Sequence, residues 1–160
     1  MTTNPENQWP SVDLAFELVK PSYDWMLARI ESIHSDIQHT LTLATTITAA
    51  VPLLAQAISS DVDFRSPWFL GLGAAYLATA ILAIHGLSTG SVQLIHPRVV
   101  FEKWLSNSPW EFKKNAIHFA GEDFDSNNDL VNKLAKVRTR TNWLIVGELL
   151  AAIVWMASAA

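Results

Sequence analysis

The stretch 68-WFLGLGAAYLATAILAIHGL-87 decides the fold. It is twenty residues long, carries no charge, and shows no polar face at a period of 3.6 residues. At about 1.5 Å rise per residue, a helix of this length crosses the roughly 30 Å hydrocarbon core of a bilayer. Working outward, no charged residue occurs between Arg65 and Arg98, nor between Asp36 and Asp61. From Arg140 to Ala160 the sole charge is Glu148. Three membrane spans follow, at about 40–60, 67–87 and 141–159. The first is rich in threonine and contains Pro52 and Gln56. Threonine hydroxyls bond a carbonyl one turn back, and an interior proline is tolerated in membrane helices.

Composition agrees. Of 160 residues, 50% are apolar and 16% charged, against about 25% charged in an ordinary soluble domain. The net charge of −4 offers no basic field for a nucleic acid. With no cysteine, thiolate metal sites, disulfides and cysteine nucleophiles are absent. The expected fold is an all-α membrane protein, three transmembrane helices whose cytoplasmic extensions form a stalk. Residues 1–21 read as a flexible leader with a short helix, Ser11–Val19, ended by Pro21; residues 22–160 read as one domain.

Lysine and arginine set the orientation. The segments 1–39 and 89–141 carry ten of the 11, and Arg65 alone lies on the other side. The N-terminus and the loop 89–140 are therefore expected in the cytoplasm and the C-terminus outside. Trp68 and Trp155 fall at the outer interface, Trp143 at the inner one.

Local patterns fill in the rest. Met26, Ile30, Ile33, Ile37, Leu41 and Ala44 recur at steps of three and four, a packing stripe on a helix that runs into the first span. Ser108-Pro109-Trp110-Glu111 is a capping box with proline at the first helical position. That helix is expected to close at Gly121, followed by a polar turn over 122–129. A last helix then starts near Asn127, lined by Leu130, Leu134, Val137 and Leu144. Gly71, Ala75, Thr79 and Ala83, and likewise Gly147 and Ala151, form small-residue faces suited to close helix approach.

Candidate chemistry is sparse. Asp123–Asp129 fails as a calcium loop, because Asn128 stands where glycine is needed and Leu134 where a bidentate glutamate is needed. The histidines 34, 39, 85, 96 and 118 have no metal-ligand spacing. Neither an enzyme motif nor a cofactor site is visible. Glu148 is an ionisable group within a span, which costs about 2.5–3.5 kcal/mol at a helix centre on insertion scales. Two readings stay open for it. It lines a polar seam with Thr45, Thr46 or Thr48 and carries an ion path in a homo-oligomer, or it is a protonated acid bonded to a neighbouring helix. Arg98, Lys103, Lys113, Lys114, Arg138 and Arg140, with Trp104, could hold a small nucleotide by phosphate contacts and base stacking. The plainer reading, which the pattern favours, is contact with anionic membrane lipid.

The order of parts also carries a resemblance. After the second span comes Ile95-His96-Pro97-Arg98, then Ser108-Pro109-Trp110-Glu111-Phe112, then Asp129-Leu130-Val131-Asn132-Lys133-Leu134, and Arg140-Thr141-Asn142-Trp143 leads into the last span. Over about residues 22–158 this resembles the small transmembrane effectors of Pycsar bacterial antiphage systems. The resemblance implies an inner-membrane protein activated by cyclic CMP or cyclic UMP. A partner cyclase would make that nucleotide on sensing phage, and the effector would impair the membrane and abort the infection. A constitutive accessory subunit of a larger membrane complex, or a small ion-coupled transporter, would share the three-span build.

Overall fold

The computed structural model describes residues 11–58, 62–95, 97–104 and 106–159. The chain is 89% helical, with no strand among the described residues. Helix α1 spans Val12–Ile58, α2 Pro67–Ser88, and α4 Pro109–Ala159. Between α2 and α4 lie a short helix α3, Pro97–Val99, and a π-helical stretch, Val100–Trp104. Three helices are long and apolar enough to cross a membrane, and they are α1, α2 and α4. The leader 1–10, His96, the end of the first span at 59–61, and Ala160 lie outside the described residues.

Two expected boundaries are overturned. The helix does not end at Pro21; α1 continues through it. Proline removes one intrahelical bond, and beside it the Ser22 hydroxyl donates to the Leu18 carbonyl at 3.1 Å. Nor does a helix close at Gly121. The whole of 122–129 is helical, so the expected polar turn and second helix start do not exist. The reason is tertiary. Asn127 is wholly buried and exchanges two hydrogen bonds with the backbone of Gln93, which fixes this stretch as helix from 34 residues away. His118 Nε2 lies 3.6 Å from Glu122 Oε1, one turn on.

The chain divides into two compact units, each drawing on both long helices. The polar unit is Met1–Glu31 with Gly90–Asn132. Its aromatic centre is Trp104, 4% exposed, with ring centroids 5.8 Å from Phe112 and 5.2 Å from Phe119. The α4 start is the capping box expected: the Ser108 amide donates to Glu111 Oε2 and the Glu111 amide to Ser108 Oγ. An extended run from Gly90 is held by Asn127 and by Tyr23, whose hydroxyl donates to the Gln93 carbonyl at 3.0 Å. Gly90 has φ +80°, and a Cβ there would lie 2.5 Å from Leu130 Cδ1. Both facts require glycine at this turn.

The span unit is Ser32–Thr89 with Lys133–Ala160. Within it the buried residues of α1 include Ile33, Ile37 and Ala44, three members of the expected stripe. Leu72, Thr79, Ala83 and Gly86 form the buried face of α2. Gly86 permits the closest approach, since a Cβ there would meet Val137 Cγ1 at 2.7 Å. Gly71 and Gly147, expected on packing faces, have nothing within 4 Å of a Cβ position. Toward the other end of the unit, Val51, Ala55, Leu72, Ala152 and Trp155 pack together. Trp155 does not sit at the lipid surface as its position suggested. It is 1% exposed, stacks against Phe64 and Phe69, and donates its indole N–H to the Asp63 carbonyl at 3.2 Å. Trp68 is half exposed and Trp143 largely so.

Candidate functional site

Four polar side chains are fully buried among the described residues: Thr79, Asn127, Thr141 and Glu148. A buried polar group without a partner is expensive, so the partners of each matter. Thr79 bonds back to the Ala75 carbonyl, and Thr141 to those of Val137 and Arg138. Asn127 has the two bonds to Gln93. Glu148 differs. Its Oε1 lies 2.7 Å from Thr48 Oγ1, which donates to it, while Oε2 is buried with no partner. No salt bridge reaches this carboxyl among the described residues.

The elements explain the placement. Glu148 stands on the buried side of α4, in register with buried Thr141, Ile145, Ala152 and Trp155. Those spacings of three, four and seven define one helical face. Thr48, one turn beyond buried Ala44 on α1, meets it there. The helix continues four residues past Thr48 to Pro52, which has no amide hydrogen to offer the Thr48 carbonyl.

Of the three threonines proposed for a seam, Thr48 alone is brought to Glu148. Thr45 donates to the Leu41 carbonyl, with its hydroxyl 3.5 Å from that of Tyr76, and Thr46 bonds back to Thr42. Both are exposed on α1. The Glu148 carboxyl is thus bonded to a neighbouring helix within one chain, an arrangement compatible with both readings given above.

The proposed nucleotide contacts divide between the two units. In the polar unit, Arg98 pairs with Glu102 at 2.6 Å, Lys113 with Asp13 at 2.6 Å, and Lys114 lies 5.5 Å over the Trp110 ring. Lys103 is exposed. Trp104 is buried beside Phe112 and Phe119, so its indole has little surface left for a base. In the span unit, Arg138 pairs with Asp36 at 3.2 Å and Arg140 is exposed. No group of three metal-ligating side chains occurs among the described residues.

A second polar cluster went unread in the sequence. Tyr23, Gln93, Asp123 and Asn127 share the polar unit. Burial, then the charge of Asp123, raises the Tyr23 hydroxyl above the usual tyrosine range; a backbone contact at Ile95 acts the other way. Burial, then Glu122, raises the Asp123 carboxyl above the ordinary aspartate range, and its Oδ2 has no partner. The spacing of Asp123 and Asn127, one helical turn, was the available signal once helix is assumed across the segment.

Neither a protein family, nor a curated protein, nor a solved structure matches this chain.

Proposed function

We propose that this chain is a bacterial antiphage effector of the Pycsar kind, an inner-membrane protein silent until cyclic CMP or cyclic UMP arrives from a partner cyclase. In this reading it acts as a homo-oligomer, is not an enzyme, and uses no cofactor beyond that activating nucleotide. Its polar unit faces the cytoplasm, which the ten cytoplasmic-side cations support. The motifs quoted above carry the resemblance to that family; the buried Glu148–Thr48 pair supports the physical argument.

That pair is the observation that carries the proposal. A three-span protein with a purely structural role has no need of a carboxyl in its interior, and an apolar residue of similar size would pack there at no electrostatic penalty. Here the one carboxyl of the spans is turned inward and held by one bond. The surface of the spans is aliphatic, with Leu53, Leu70, Leu77, Ile81, Ile84, Leu150 and Ile153 exposed. Such a molecule is inert toward a bilayer while α1 and α4 stay closed at Thr48 and Glu148. Separation of those helices would place a carboxyl, two oxygens of Thr48 and incoming water inside the membrane, which breaches it. A ligand can drive that step only by binding the open or assembled state better.

The test is expression with and without a pyrimidine nucleotide cyclase, read by a membrane-potential dye. Depolarisation and growth arrest are expected only with active cyclase. Full polarisation in both cultures overturns the proposal. The membrane carboxyl also suits a small ion-coupled transporter, and the same experiment separates the two: a transporter gives Glu148-dependent flux with normal growth.

A further inference from the structure

A shallow groove of about 510 Å³ runs along one face of α4 in the span unit, lined by Ala135, Arg138, Thr139, Asn142, Trp143 and Val146. We infer that it binds the phosphate of an anionic phospholipid at Arg138 and Asn142, with the lipid's acyl chain laid along the aliphatic residues that continue the same face. The inference stands apart from the nucleotide proposal and reassigns Arg138 from it.

Four observations lead there. First, Arg138 is drawn toward α1 by an opposite charge. Asp36 of α1 holds its Nε at 3.2 Å, and the side chain remains 47% exposed. The ion pair uses one edge of the guanidinium, leaving the Nη groups as donors for a phosphate oxygen. Second, Asn142, one turn on, meets Thr40 of α1 at 3.2 Å and adds a second oriented polar group to the groove. Third, the charge balance suits an anion. Lys133, Lys136, Arg138 and Arg140 stand on this end of α4 within the span unit, and among the described residues Asp36 is the one acid paired into them.

The fourth observation selects a lipid over a soluble phosphate. Trp143 is 71% exposed where the cations end, the position of an interfacial indole. Below it Val146, Leu149, Leu150 and Ile153 are all exposed, with no charged residue among them. From Trp143 to Ile153 is about 15 Å along the helix, half the roughly 30 Å hydrocarbon core. A shallow groove that offers Arg138, Thr139 and Asn142 to a headgroup and continues into one leaflet's length of aliphatic surface fits an amphiphile. A cyclic nucleotide would use only the polar end.

Arg140 provides the control. It lies two residues, about 200° of helix rotation, from Arg138 and does not line the groove. It carries the same charge at nearly the same depth. The full-length protein in detergent is titrated with phosphatidylglycerol and with phosphatidylcholine, and bound lipid is counted by native mass spectrometry. Helical content by circular dichroism verifies each variant. Wild type is expected to prefer phosphatidylglycerol several-fold. Arg138→Gln should lower phosphatidylglycerol affinity about tenfold, Arg140→Gln by less than about twofold. Arg138→Lys, which keeps the Asp36 charge partner, should lie between them because it loses the fork. Equal loss in Arg138→Gln and Arg140→Gln overturns the site in favour of diffuse attraction. Equal binding of the two lipids overturns it outright. So does displacement of the bound phosphatidylglycerol by cyclic CMP or cyclic UMP, which would return Arg138 to a nucleotide site.

Discussion

Asn127 and Glu148 are both wholly enclosed, one in each unit, and they are satisfied to different degrees. Asn127 matches both ends of its amide to the amide and carbonyl of Gln93, at 2.9 and 3.0 Å. It serves as an extra piece of backbone, pairing an extended run that has no strand beside it. Glu148 has one partner for two oxygens. The contrast teaches that buried polarity in this protein is satisfied in two ways. Where every atom is matched, the residue specifies a fold. Where an atom is left over in a span, the arrangement is one that a second state can improve, and such places are where membrane proteins work.

Breaking each pair tests the contrast. Asn127→Ala leaves the Gln93 amide without its partner and should cost the polar unit about 2–3 kcal/mol. Exchange of the Gln93 amide hydrogen, followed by mass spectrometry, should quicken strongly, while peptides of the span unit keep wild-type protection. A smaller effect is expected for Thr48→Val, about 1 kcal/mol, since hydrogen bonds between membrane helices average well below that range. Its thermal unfolding in detergent should shift slightly, yet the membrane should leak without any cyclase. A silent Thr48→Val protein would show that the pair seals nothing.

The least effect belongs to Asp123→Asn. The folded carboxyl titrates above its unfolded value, because of burial and then Glu122. Folding is therefore helped by the protonated form, a contribution present below the ordinary aspartate range and lost as pH rises through the raised value. Asp123→Asn should stabilise the polar unit near neutrality, and the gap should close as the solution is acidified. The Tyr23 hydroxyl should also titrate lower, since Asp123 is the second cause of its rise. Melting curves across pH and tyrosinate absorbance check both.

The spans were legible because lipid demands length with almost no charge, and three runs meet it, two of them charge-free and the third broken only by Glu148. The α4 start was legible because a capping box is local. Helix continuity was not. Pro21 and Gly121 are breakers by propensity, and Glu122–Asp129 reads as a turn by composition. Across Gly121 and 122–129 what overrides composition is contact with Gln93, distant in sequence, and no local window contains it. Trp155 misled for the same reason: its place near a span end suggested a lipid anchor, whereas Phe64, Phe69 and the Asp63 carbonyl enclose it. At the candidate site, Glu148 stood out as the lone charge, but only the helix register could choose Thr48 from among the threonines.

Pro52 gives the Thr48 turn a further property. Because the imide nitrogen carries no hydrogen, the peptide oxygen at 48 lacks its usual covering donor, on the same residue whose hydroxyl faces Glu148. A solvent molecule reaching this level would find docking points already laid out within a single turn.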